Sequence, residues 1–301
     1  MCAAGSLLRG LFRLFRLFRQ VQRTRLSATG QQGKQGEQQQ VTAMKVMHPD
    51  CPCKLSQVYG VAAANPMPLV HTRQMPEPLL DAVEISPVAP ARAAILWLHG
   101  LGADGHDFEP LVPQLGIVEQ LGVRVILPHA PRRPVTINGG MVMPAWYDIA
   151  GTDFRRGQDS AGIRASEQQL RALIEREISR GIAPQRILLA GFSQGGALVL
   201  HTGLRFPRRL AGILALSAYL PLADTLPAEA TEANRAVPLM LAHGTSDPVV
   251  PLPLAEQSRD MLQRQGYRVD WHTYAMAHAV CPEEVLDIRA WLVDCLAANQ
   301  G

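Results

Sequence analysis

From residue 83 to residue 297, short runs, most of them strongly apolar, alternate with longer stretches in which apolar positions recur every three or four residues. The runs at 83–88, 93–98, 123–127, 186–190, 212–216, 238–242 and 268–274 are too short for helices and predict strands, the first of them at a sheet edge. Helical spacing dominates 160–180, where Ile163, Leu170, Leu173, Ile174 and Ile178 share a face and Gly181 supplies the stop. Further helices are predicted at 195–206, ended by Pro207, and at 254–265 and 283–297. Strands separated by helices in this order imply the α/β class, with a mainly parallel sheet covered on both faces. In such sheets, sites form at the carboxyl ends of the strands.

The pattern before residue 75 is different. Residues 7–25 hold three Leu-Phe-Arg triplets. On a helix, Arg9, Arg13, Arg16, Arg19 and Arg23 would occupy about a third of the circumference, opposite Leu7, Leu11, Leu14 and Phe18. Such a segment fits a transit peptide or a membrane-surface helix that makes peripheral membrane contact, and equally an unselected leader upstream of the true start. Residues 27–40 are rich in Gln and Gly, with almost no apolar content, and are expected to be disordered. The expected organisation is therefore a basic, Gln/Gly-rich tail over 1–74, disordered or a leader, and one catalytic domain over 75–301, with Met75 a candidate start.

Composition narrows the classes. At 47% hydrophobic and 18% charged, the chain can build a sizeable core. Its net charge of +3 comes from the tail, which carries no acid through Gly36, so nothing suggests a nucleic-acid partner. Cys2, Cys51, Cys53, Cys281 and Cys295 have no framework spacing, which implies a reducing, cytoplasmic setting. Cys51-Pro52-Cys53 lacks a second ligand pair, so no metal is expected. Cys281 is either a neighbour of the site or a packing thiol. No run reaches eighteen apolar residues, which argues for a soluble protein.

The chemistry centres on Gly191-Phe192-Ser193-Gln194-Gly195, a Gly-x-Ser-x-Gly pattern set between a predicted strand and a predicted helix. A serine hydroxyl needs a base to accept its proton, and that base needs a carboxylate to fix its tautomer. In this order of elements the acid and then the base follow the serine. Asp247 lies in the loop after the 238–242 strand and His278 in the loop after the 268–274 strand. Among the other histidines, His201 and His272 lie within elements and His99, His106 and His129 precede the serine, while His243 is placed to brace the Asp247 loop. An oxyanion hole requires two amides, and Gln194 supplies one at the start of its helix. The glycine-rich loop from Leu98 to Gly105 supplies the other, for which Leu101 is the candidate. Read as a phosphate loop, this stretch lacks both Gly-Lys-Ser/Thr and Gly-x-Gly-x-x-Gly.

Six ordered motifs now resemble the carboxylesterase and acyl-protein thioesterase family, also called phospholipase/carboxylesterase, of the α/β-hydrolase fold. They are Leu98 to Gly105, Pro128 to Pro131 with Pro134 to Gly140, Met143 to Asp148, Gly191 to Gly196, His243 to Pro251, and Tyr274 with His278. The resemblance implies Ser193 as nucleophile, His278 as base, Asp247 as orienting acid, and Leu101 and Gln194 as oxyanion donors, without metal or organic cofactor. It also implies homodimers in several members. It suggests that the stretch from Val135 to Asp148 borders an acyl groove, with Met141, Met143 and Trp146 as apolar wall. The other reading of Trp146 and Tyr147 is simple packing of that loop onto the core. The expected activity is hydrolysis of carboxylic esters with short to medium acyl chains through an acyl-enzyme. Thioester cleavage on S-acylated proteins and lysophospholipid deacylation are the enzymatic alternatives. A non-catalytic hydrolase-fold interaction protein, held at a membrane by the tail, is the alternative from another class.

Overall fold

The computed structural model describes residues 79–297, apart from 152, 153, 155 and 156. The expectations for the tail, the Met75 start and Cys2, Cys51 and Cys53 lie outside the described residues.

Nine strands are present among the described residues: β1 (Ala82–Ile85), β2 (Ala93–Leu98), β3 (Val123–Pro128), β4 (Arg132–Val135), β5 (Met141–Pro144), β6 (Ile187–Phe192), β7 (Gly212–Leu216), β8 (Leu239–Gly244) and β9 (Val269–Tyr274). Seven of them form one sheet in the order β1-β3-β2-β6-β7-β8-β9, while β4 and β5 pair as a separate hairpin. Only β1 runs antiparallel within the large sheet. Helices are α1 (Val112–Leu115), α2 (Ile117–Leu121), α3 (Ser160–Ser179), α4 (Gln194–Arg205), α5 (Leu226–Glu229), α6 (Leu252–Arg264) and α7 (Pro282–Ala297).

The inner strands β2, β6, β7 and β8 are buried along their whole length. Side chains alternate between faces along a strand, so each inner strand feeds two cores. Leu96, Leu98 and Leu189 point toward α3, α4 and α6, where they meet residues such as Leu173, Ile174 and Leu198. Ile95, Trp97 and Leu188 point the other way, toward α1, α2 and α7, and join Val112, Leu115, Ile288 and Leu292. Burying one such side chain is worth about 1.5–3 kcal/mol of transfer free energy. Apolar sequence on both faces is what a strand between two helical layers requires.

Two details differ from the expectation. The edge strand stops at Ile85 rather than reaching residue 88, and Val88 is 97% exposed. Pro87 has no amide to give to a ladder. The β4–β5 hairpin, with register Arg132↔Pro144 and Val135↔Met141, has no counterpart in the expected strands. Each strand is four residues long and contains a proline; β4 opens with two arginines, and the apolar run of β5, Met141 to Pro144, is short and half exposed.

Register aligns the ends that matter. Leu98 pairs with Gly191, Phe192 with Leu216, Leu216 with Ala242, and Gly244 with Tyr274. The loops after β2, β6, β8 and β9 therefore leave the sheet on one rim.

Candidate active site

At the end of β6 the chain reverses into α4 within one residue. Ser193 takes φ 55 and ψ −118, a conformation that costs a side-chain-bearing residue about 1–3 kcal/mol. Its amide donates to Leu216 O at 2.8 Å, and its carbonyl accepts from Ala197 N at 2.9 Å, which closes the first turn of α4. The turn explains the flanking glycines. A Cβ on Gly191 would lie 2.5 Å from the Gly195 carbonyl carbon, and one on Gly195 would lie 2.5 Å from Leu98 O. Neither could be accommodated without moving backbone. Ser193 itself is 9% exposed at the rim of the sheet.

Asp247 sits in the loop after β8. Its Oδ1 accepts from the amides of Val249 at 2.8 Å and Val250 at 3.0 Å. Its Oδ2 lies 2.7 Å from Nδ1 of His278. Burial works against the charged carboxylate, but the His278 hydrogen bond and the two amides outweigh it and hold Asp247 below the usual carboxylate range. An anionic Asp247 accepts a hydrogen bond from Nδ1–H of His278, which leaves Nε2 as the acceptor. Among the described residues no hydrogen bond joins Ser193 Oγ to His278. Phe192 links them, since its ring, next to Ser193 in the chain, lies 4.6 Å from the His278 ring. His243 braces this loop, with Nε2 2.8 Å from Val250 O and 3.5 Å from Asp247 Oδ2. Burial lowers its pKa.

The glycine-rich loop after β2 is held by His99. Its Nε2 accepts from Ala130 N at 3.1 Å, so Nδ1 carries the proton and donates to Gly100 O at 2.8 Å. Burial pushes the pKa of this ring down to about 4, so it stays neutral over the working pH range. The amides of Leu101 and Gln194 donate to no protein acceptor among the described residues. The adjacent Gly102 amide is engaged by Pro144 O at 2.9 Å. His201 is a packing residue, fully buried with Nε2 3.1 Å from Glu167 Oε2. His129 accepts from Gly105 N at 3.1 Å, and His106 and His272 pair with Glu109 and Asp270.

Met141, Met143 and Trp146 do not share one surface. Met141, on β5, is 58% exposed. Met143 is half-buried, with Sδ 3.2 Å from Asn138 Nδ2 and beside Gly102. Trp146 is 1% exposed and packs behind the loop rather than lining a groove. Its indole N–H donates to His99 O at 2.9 Å, and its carbonyl accepts from Ser166 Oγ. Its amide donates to Gln194 Oε1 at 2.9 Å, while Gln194 Nε2 donates to Tyr147 O at 2.7 Å. Sequence order offered no signal for Ser166 or for the Gln194 side chain. The position of His99 between a strand and a glycine loop was a signal of its supporting role.

Cys281 is half-buried and Cys295 buried, and neither forms a disulfide among the described residues. Burial pushes both pKa values up, Cys295 to about 12, which leaves neither a ready thiolate. Among the described residues, no three or more His, Cys, Asp or Glu side chains form a group able to hold a metal ion. No helix among them is long and apolar enough to cross a membrane.

A parallel sheet with one antiparallel edge strand, helices on both faces and a strained serine at the central strand-to-helix turn define an α/β-hydrolase fold. The chain belongs to the phospholipase/carboxylesterase family, whose profile matches residues 81–296. It is 43% identical over 220 residues to acyl-protein thioesterase 1 of Neurospora crassa, covering 69% of this chain and 89% of that protein. With acyl-protein thioesterase 1 of Yarrowia lipolytica it shares 38% identity, over 71% of this chain and 97% of the relative. Among solved structures it is similar to Arabidopsis thaliana SOBER1, at 32% identity and TM-score 0.65, covering 68% of this chain and all of that one. Zea mays acyl-protein thioesterase 2 is 30% identical with TM-score 0.62, over 72% of this chain and 99% of its own. The chain is thus a hydrolase by family.

Proposed function

We propose that this chain is an acyl-protein thioesterase that works through Ser193, His278 and Asp247. The 2.7 Å contact between His278 and Asp247, on the same rim as the strained Ser193, carries the chemical part of the reading. The substrate class is supported by the names of the relatives, which are acyl-protein thioesterases.

In this reading His278 Nε2 accepts the Ser193 proton as Oγ attacks the thioester carbonyl. Charge developing on the carbonyl oxygen is met by the Leu101 and Gln194 amides, and Gln194 adds the favourable end of the α4 dipole. The carbon–sulfur bond breaks, the thiolate takes the proton from His278, and the acyl group stays on Ser193. Water, deprotonated by His278, then attacks the acyl-enzyme and returns Ser193 and a carboxylic acid. Asp247 stays ionised and keeps the imidazolium in place. Because a thiol has a pKa about 8.5, its thiolate leaves more readily than an alkoxide. The same centre would therefore also turn over activated carboxylic esters, the second reading, which the family description supports.

Steady-state kcat/KM on an S-acylated peptide, set against p-nitrophenyl esters of matched chain length and a lysophospholipid, separates these substrates. The thioester should give the highest value. A clear preference for the oxygen esters would return the assignment to carboxylesterase.

A further inference from the structure

Any residue after the nucleophile would provide an amide, so the identity of the side chain there requires its own explanation. Gln194 is 3% exposed, and both polar atoms of its side chain are used. Oε1 accepts from Trp146 N at 2.9 Å and Nε2 donates to Tyr147 O at 2.7 Å. The loop it grips is bonded in turn to the glycine-rich loop after β2. Gly102 N donates to Pro144 O at 2.9 Å and Trp146 Nε1 donates to His99 O at 2.9 Å. His99 and Gly102 flank the segment that carries the Leu101 amide. Residues 144–147 are thus tied on one side to the segment bearing one amide and on the other to the residue bearing the second.

We propose that the Gln194 side chain is a positioning residue that sets the spacing of the Leu101 and Gln194 amides by clamping the nucleophile turn to Trp146 and Tyr147, a segment tied in turn to the Leu101 loop through Pro144 O and the Trp146 indole. The inference rests on the reading of those amides as oxyanion donors. Donors help only where they meet the charge as it forms, and a misplacement of about 1 Å can cost about 100-fold in rate. The primary amide suits the task because one atom accepts and the other donates, matching one N–H and one C=O of neighbouring residues. Methionine has similar length but offers only a weak sulfur acceptor and no donor. Glutamic acid reproduces the pair when neutral, since its carbonyl accepts and its hydroxyl donates. As a carboxylate it loses the donor and sets an anionic oxygen against Tyr147 O.

The test uses the full chain and its Gln194→Met and Gln194→Glu variants, with circular dichroism and thermal unfolding to verify folding. Gln194→Met should lower kcat by about 100-fold and change KM little, because the donors act in the transition state. Its reaction with a fluorophosphonate should slow in parallel. For Gln194→Glu, burial raises the carboxyl pKa. Its kcat relative to wild type at the same pH should therefore fall about tenfold between about pH 6 and about pH 9. Taking the ratio cancels every pH effect common to the two proteins. A folded Gln194→Met with kcat within about twofold of wild type would overturn the clamp. A constant Gln194→Glu ratio would do the same, even if Gln194→Met failed to fold. Failure of wild-type protein to react with the fluorophosphonate would instead remove the proposed chemistry itself.

Discussion

Asp247 and His99 show how neighbouring groups set the role of an ionisable residue. Asp247 is buried, yet it stays ionised because three donors converge on it. His99 has a comparable burial and, among the described residues, no carboxylate bonded to its ring, so it stays neutral and supports backbone instead. Asp247→Asn would keep the shape and reverse the preferred tautomer of His278. We expect kcat to fall by about 10⁴ without loss of fold, measured by steady-state kinetics beside circular dichroism. His99→Ala would leave the Ala130 amide and the Gly100 carbonyl unpaired in the core, at a cost of about 1–3 kcal/mol for each group. Chemical denaturation should show that loss together with reduced kcat. The proposed roles of Ser193, Asp247 and His278 are suggested by the sequence because suitable residue types follow strand ends in a suitable order. The Gln194 clamp is not legible, since its partners lie 47 and 48 residues away and no local pattern connects them.

Among the elements, the inner strands and long helices are legible because each is periodic or wholly apolar, as its two-sided burial demands. The β4–β5 hairpin is not, because its strands are only four residues long, each holds a proline, and the apolar β5 pairs with a β4 that opens on two arginines. At the start of α7, Glu284 is fully buried, and among the described residues neither side-chain oxygen has a hydrogen-bond partner. Burial pushes its carboxyl up to about 8, with the nearby Asp287 carboxylate adding to the effect. The folded chain therefore binds a proton that the unfolded chain releases near pH 4.5. Stability should fall as pH rises from that value toward about 8 and then stop changing on this account. Urea unfolding at several pH values should show this slope in wild type and a shallower one in Glu284→Gln. An equal slope in both would assign the effect to other groups.

At the scale of the whole molecule, the family profile spans residues 81–296, so the chemistry is proposed to reside in a catalytic domain over 75–301, with 1–74 dispensable for it. A chain beginning at Met75 should retain the kcat/KM of the full chain on a soluble ester within about twofold. A large loss would give the N-terminal segment a part in folding or in the site. The seven-stranded sheet brings four loops to one rim, and the account depends on the hydroxyl at its centre being the nucleophile. Mass spectrometry after reaction with a fluorophosphonate tests this most directly. One adduct is expected on the peptide that contains Ser193, absent when the same treatment is given to folded Ser193→Ala, whose kcat should be lower by several orders of magnitude. An adduct on another residue, or near-normal turnover by Ser193→Ala, would contradict it.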